Sequence, residues 1–239
     1  MYKKYVIKEF EDNWGRSKGG AKSSGTTKTI KRPRKSAKLA ELVGIILGDG
    51  NVHAYIDGKK RRSYMLRIAG DFTNDKEYLE KYVAPLCEKL FGIQAKFMYQ
   101  EWKGEMFVIL HSKELVLFLK SIGLKVGDKM ESQVGIPGWI MKNEKYLRVC
   151  LRGLIDTDGC IHRMSRRDAN LLRINFTNHN QQLLSDSRKG FLQLGFHPCN
   201  IIRKRTFYIS RQEEIGRYIK QIGFSNQKHI LRWKCFTAL

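Results

Sequence analysis

The chain has 239 residues, with 45 Lys and Arg against 23 Asp and Glu, a formal charge of +22. A hydrophobic fraction of 42% allows a packed interior, whereas so one-sided a charge opposes compaction and points to a polyanionic partner. No apolar run reaches the ~18 residues of a spanning helix and no signal-peptide core opens the chain, so no membrane partner is expected.

Residues 1–35 form a basic N-terminal arm. Twelve Lys or Arg and three acids fall before residue 41, and Lys31-Arg32-Pro33-Arg34-Lys35 closes the segment. It reads equally as a solvated tail or as an arm that embraces a nucleic acid. Next, Leu42-Val43-Gly44-Ile45-Ile46-Leu47-Gly48-Asp49-Gly50 predicts a helix stopped at its C-terminal glycine. An alternating strand follows, with Asn51, His53 and Tyr55 on one face. A second strand carries Arg67 and Asp71 on its polar face and leads to Thr73. A helix over about 74–91, a hairpin bearing Lys96 and Gln100, and a helix over 113–122 complete a first unit at 36–135.

The pattern then returns. A linker at 136–142, marked by Ile136-Pro137-Gly138, joins a second unit at 143–239. Leu151-Arg152-Gly153-Leu154-Ile155-Asp156-Thr157-Asp158-Gly159 repeats the first motif at an offset of 109. Phe72-Thr73-Asn74 returns as Phe176-Thr177-Asn178 at 104, and Ile122-Gly123-Leu124 as Ile222-Gly223-Phe224 at 100. Self-similarity at a slowly shrinking period marks a duplicated unit trimmed in its loops. The expected fold is α+β, two pseudo-symmetric αββαββα units packed through their motif helices, with antiparallel sheets forming a DNA-binding saddle. Each sheet buries one face and leaves a basic, hydrogen-bonding one, suited to base edges in a major groove. Base-contact candidates are Asn51, His53, Tyr55, Arg67, His162, Arg166, Arg173 and Asn175, with Lys96, Gln100, Arg203 and Arg205 from the hairpins.

Leu42, Ile45 and Ile46 form one apolar helix face, and Leu151, Leu154 and Ile155 another. Gly44 and Gly48, or Gly153 and Thr157, place small residues four apart, which allows close helix approach. Pairing these helices brings Asp49 and Asp158 together at two C-termini, where the helix dipole already disfavours negative charge. Like charges so placed call for cations, and Mg²⁺ accepts carboxylate, carbonyl and water oxygens. Divalent metal beside a polyanion suggests phosphodiester hydrolysis, one acid per strand. The five scattered cysteines fit reduced thiols in an intracellular compartment, whether cytoplasm, nucleoid or organelle matrix. Cys160, His162, His197 and Cys199 lack the paired spacing of a zinc site.

These paired segments resemble the motifs of LAGLIDADG homing endonucleases. The resemblance covers nearly everything after residue 35 and implies a metal-dependent DNA endonuclease, intron-encoded and free-standing, that leaves short 3′ overhangs to promote intron homing. It implies Mg²⁺ as cofactor, with Mn²⁺ able to substitute. It also implies that Asp49 and Asp158 bind metal, that the carbonyls of Gly48 and Thr157 join them, and that Lys129 and Lys228 organise water near the scissile phosphate. Asp71 and Thr73, with Asn175 and Thr177, are expected near the metal or the central base pairs. The partner is double-stranded DNA, bound by a monomer. Intron RNA is the alternative partner, for an RNA maturase, and a binding-only regulator is a third reading. Leu47 opposite Asp156 at the sixth motif position departs from the repeat and suggests an asymmetric target.

Overall fold

A computed structural model describes residues 28–56, 62–164 and 171–237. Most of the basic arm (1–27) and Arg166 lie outside the described residues. Helix α1 (Ala37–Asp49) starts where the Ser36 hydroxyl accepts the Leu39 N–H at 3.3 Å. Helix α6 (Glu144–Asp158) starts where Asn143 accepts the Tyr146 N–H at 3.1 Å. Both are side-chain N-caps that satisfy an otherwise orphaned donor.

Strands β1 (Gly50–Ile56), β2 (Arg62–Asp71), β3 (Lys96–Gln100) and β4 (Glu105–His111) form an antiparallel sheet in the order β1-β2-β4-β3. Helix α2 runs from Lys76–Tyr78 through a π turn at Leu79–Val83 into Ala84–Phe91. Pro85 stands just beyond that turn and has no N–H to give to the preceding one, a common reason for local widening. Helix α3 (Lys113–Ser121) closes the unit. The single-turn helices α4 (Lys129–Ser132) and α5 (Gly138–Met141) bridge to the second motif. In the second unit, β5 (Gly159–Arg163), β6 (Leu172–Thr177) and β7 (Thr206–Ile209) pair in that order, with α7 (Gln181–Gln193) and α8 (Gln212–Gln221) behind them.

The predicted elements hold within two or three residues, with two differences. The second sheet has three strands among the described residues, because the first arm of its hairpin does not form one. Pro198 has no N–H to give to a ladder. That arm is held by the Cys199 N–H on the Tyr208 carbonyl at 2.9 Å and by an isolated bridge between Ile202 and Thr206. The other difference is added helix: the single turns α4 and α5 and the longer α9 (Gln227–Thr237) are absent from the predicted order.

The core runs without a break from one unit to the other. Leu39, Leu42, Val43, Ile45, Ile46 and Leu47 of α1 are buried, as are Leu147, Cys150, Leu151, Leu154 and Ile155 of α6. A helix apolar nearly all round must be enclosed on every side, and here the sheets cover what the partner helix does not. Glycines make the approach possible: a Cβ at Gly153 would lie 2.6 Å from the Glu41 carbonyl oxygen, and one at Gly44 would overlap the Cys150 carbonyl. One carboxylate staples the far end of this seam. Glu41, 3% exposed, accepts both Arg152 nitrogens (2.9 and 2.6 Å), the Tyr82 hydroxyl (2.7 Å) and the Ser225 hydroxyl (2.7 Å).

Helix α9 brings His229 into this interior with no exposed surface, its ring centre 5.1 Å from that of Phe224 and tilted by 33°. The Asp156 backbone faces the imidazole without closing a well-formed hydrogen bond. Burial, helped by Lys228 and Arg232, pushes the imidazole down from 6.5 to about 4. The unfolded chain therefore holds the proton more tightly between those values, so this histidine's contribution is intact above pH 6.5 and lost as pH falls towards 4. A His229→Phe variant is expected to unfold less readily than wild type at pH 5, by about 2 kcal/mol, and alike at pH 8. Urea melts at the two pH values check it.

Candidate active site

Asp49 is the last residue of α1 and Asp158 the last of α6. The caps Gly50 and Gly159 turn each chain straight into a strand, donating N–H groups to the carbonyls of Ile46 and Ile155. Because the helices touch through glycines, they stay close to their final turns. A Cβ at Gly48 would lie 3.2 Å from Asp158 Oδ2 and would overlap the Thr157 side chain. The two carboxylates therefore share one floor, with a cleft on either side. One cleft, of about 510 Å³, is lined by Gly48, Asp158, Lys129, Asn178 and Asn180. The other, of about 430 Å³, is lined by Asp49, Asp71, Asp75, Lys103 and Glu105.

Removal from water is the main reason the Asp49 carboxyl rises from 3.8 to about 7; Asp158 and Asp75 add repulsion, while Lys129 and Lys228 oppose it. Asp158 is raised for the same first reason, countered by Lys129, Lys228 and an Asn178 amide bond at 2.8 Å. The repulsion is mutual, so both acids titrate as one raised pair. Lys129 reaches in from α4 and sets its ammonium on the carbonyls of Leu47 (3.0 Å), Ile46 (3.4 Å) and Gly48. Burial lowers its pKa, against the pull of Asp158 and Asp49. Lys228 enters from the first turn of α9 and pairs with Asp75 at 2.7 Å.

Two carboxylates thus stand at two adjoining helix ends, with Lys129 seated on the α1 carbonyls and Lys228 on Asp75 beside them. A family model described as a LAGLIDADG-like domain matches residues 145–223, the stretch that carries α6, Asp158 and the second sheet. That stretch, 79 of the 239 residues, is similar to the LAGLIDADG-like domain. Its fold is similar to that of a mesophilic variant of the homing endonuclease I-DmoI, at 17% identity and a TM-score of 0.55, covering 78% of this chain and 95% of that one. I-DmoI in complex with DNA and Ca gives 18% and 0.55, covering 78% and 88%. The meganuclease I-AabMI bound to uncleaved DNA gives 14% and 0.52, covering 80% and 86%. Among curated proteins, the replication factor C small subunit of Methanocaldococcus jannaschii is 30% identical over 127 residues. Those residues are 52% of this chain but 7% of that protein, so the two share only a segment.

The strand register decides which expected contact residues share a face. Asn51 pairs with Arg67, Arg67 with Ile109 and Ile109 with Lys96, one row across the first sheet. His53 and Tyr55 lie two and four residues along β1 and face the same way, opposite the buried Val52, Leu66, Ile68 and Val108. Asp71, Glu105 and Gln100 form a row at the other end. In the second sheet Cys160, Asn175 and Tyr208 form one row, and His162 with Arg173 another. Thr177 donates to the Thr206 hydroxyl at 2.9 Å. Arg203 and Arg205 sit in an exposed tight turn, with Arg203 and Lys204 at φ +48° and +54°, beside Asn178.

Asp71 lines the cleft beside Asp49. The Asp71 carboxylate accepts the N–H groups of Thr73 (3.0 Å) and Asn74 (2.7 Å) and the Asn74 amide (2.9 Å), which lowers its pKa and ties it to its own turn. Thr73 is exposed in that turn. No group of three or more His, Cys, Asp or Glu side chains gathers into a metal site among the described residues; His197 pairs with Glu214 at 2.6 Å. Sequence reasoning missed Asn178, Asp75, Asn180, Tyr208 and Thr206. Asn178 was within reach as the third residue of the repeated Phe-Thr-Asn. Tyr208 and Thr206 needed the register of β7, and Asp75 carried no signal at all.

Proposed function

We propose that this chain is a metal-dependent DNA endonuclease that hydrolyses one phosphodiester bond on each strand of a long duplex site. The observation that carries the reading is the desolvated Asp49–Asp158 pair, flanked by Lys129 and Lys228 and set between two sheets with polar outer faces. The likeness to the homing endonuclease I-DmoI in complex with DNA and to the meganuclease I-AabMI bound to uncleaved DNA supports it.

The donors fit a hard divalent cation. They are all oxygen, two carboxylates with the carbonyls of Gly48 and Thr157, and a carboxylate pair raised by burial is short of positive charge. Lys129, with its ammonium on the α1 carbonyls, supports the reading that this helix end favours positive charge. Bound there, a divalent ion would lower the pKa of water and offset charge on a leaving oxygen. The protein does the rest. Asn178 orients Asp158, the two lysines hold fixed positive charge where a phosphate would rest, and the strand rows fix register. The finer reading is a monomer using Mg²⁺ or Mn²⁺, leaving short 3′ overhangs and serving intron homing.

Incubation of the protein and Mg²⁺ with a supercoiled plasmid pool carrying tiled intronless inserts tests this. Linearisation at one site supports the reading. RNA binding without any cut would favour a maturase. With +22 net charge, duplex affinity is expected to fall with a log–log salt slope of about −6 or steeper, near −0.9 per neutralised phosphate. Fluorescence anisotropy across a KCl series measures it, and a slope near zero would remove the electrostatic case for a DNA partner.

A further inference from the structure

The two clefts hold their lysines by different means, although the surrounding elements are copies. In each unit the helix after the second strand begins at an N-cap residue that reaches into the other unit. In the second unit this residue is Asn180, 1% exposed. Its amide donates to the carbonyls of Val134 (2.8 Å) and Lys129 (3.3 Å), gripping the backbone of the segment that presents Lys129. In the first unit it is Asp75, 8% exposed. Its Oδ1 accepts the Asn226 amide at 2.8 Å and the Lys228 ammonium at 2.7 Å, and its Oδ2 accepts the Asp71 N–H at 3.2 Å. A neutral side chain holds one lysine by its backbone; a charged one holds the other by its head.

Cap register explains the split. Asp128 caps α4 and Lys129 follows it at once. Asn226 accepts the Lys228 N–H at 3.1 Å from two residues upstream, so Lys228 leaves its helix in a different direction. Lys129 lands on carbonyl oxygens of α1, whereas Lys228 meets a carboxylate.

We propose that Asp75 is a positioning residue for Lys228 with no charged counterpart in the other half, so that the two strands are cut with the help of differently held lysines. The proposal rests on the endonuclease reading for its consequence, though not for the tether itself. Asp75→Asn should free the Lys228 head while keeping the shape and one of the two acceptor contacts, to the Asn226 amide or to the Asp71 N–H. Losing a charge-assisted partner at a mostly buried site is worth about a factor of ten or more.

Two measurements test it. In limited acetylation with peptide mapping, without DNA or metal, Lys228 should be modified about tenfold faster in Asp75→Asn than in wild type. Lys129 should be unchanged and Asp75→Glu near wild type. In the plasmid pool, nicks on each strand are mapped separately. Asp75→Asn and Lys228→Met should slow the same strand by about tenfold or more, leave the other within about twofold, and not compound when combined. Unchanged Lys228 acetylation overturns the tether. Equal slowing of both strands, or additive losses in the double variant, overturns the positioning role. A wild-type protein that cuts nothing defeats the endonuclease reading instead, and acetylation alone then decides the tether.

Discussion

Asp49→Asn and Asp158→Asn are each expected to abolish double-strand cleavage, lowering the rate by about 10³-fold or more, which is ~4 kcal/mol of transition-state stabilisation. Duplex binding should persist or tighten, because each change removes a negative charge from a surface that meets phosphate. The stability signature is more specific. Both carboxyls are raised by burial, Asp49 to about 7. The folded state thus holds these protons more tightly than the unfolded state. Wild-type stability should fall as pH climbs from about 4 through about 7, and the penalty is complete above that range. In EDTA at pH 8, Asp49→Asn should therefore melt above wild type, and at pH 4 the two should coincide. Adding Mg²⁺ should stabilise wild type and leave the variant nearly unmoved. A lower melting temperature for the variant at pH 8 in EDTA would show that the acid is not held at an electrostatic cost.

Gly44→Ala is expected to be among the most damaging single-methyl changes available to this chain. The new Cβ would occupy the same space as the Cys150 carbonyl, a backbone group that cannot rotate away. The helices must separate, opening a seam lined by Leu42, Ile45, Leu151 and Leu154, all at most 1% exposed. Overpacking of this kind costs about 3 kcal/mol or more, or some 6–12 °C in a chain this long. Gly153→Ala should behave alike, since its Cβ would lie 2.6 Å from the Glu41 carbonyl oxygen and 2.9 Å from the Ile45 nitrogen. Gly216→Ala is the control. It lies within α8 with nothing inside 4 Å of the added methyl, and there alanine should stabilise by up to ~1 kcal/mol. Thermal melts of the three variants separate crowding from helix propensity, and a harmless Gly44→Ala would refute the close approach.

Much of the architecture was legible because it rests on local signals given twice. The motif helices, the alternation that puts Asn51, His53 and Tyr55 together, and the Phe-Thr-Asn at each second strand end follow from period and punctuation. What was hidden depends on register or on distant partners. Strand β7 lost its expected neighbour because Pro198 and the left-handed turn at Arg203 and Lys204 hold that arm with single bonds rather than a ladder. Asp75 reads as a plain helix-start acid until folding sets Asn226, 151 residues away, against it. Asp156 looked like a mere departure from the repeat. Fully buried, it accepts the Ser225 N–H at 2.9 Å and its carbonyl accepts the Asn226 amide, so it anchors the segment leading to Lys228.

The carboxylate of Glu41 has a bearing on how the molecule comes into being. Its partners arrive at positions 82, 152 and 225, the last of them 184 residues downstream. During synthesis the amino-terminal half therefore emerges with Tyr82 to meet this acid but without Arg152 or Ser225, and contacts of such long sequence separation form late. The two units should then complete their shared core together rather than one after the other.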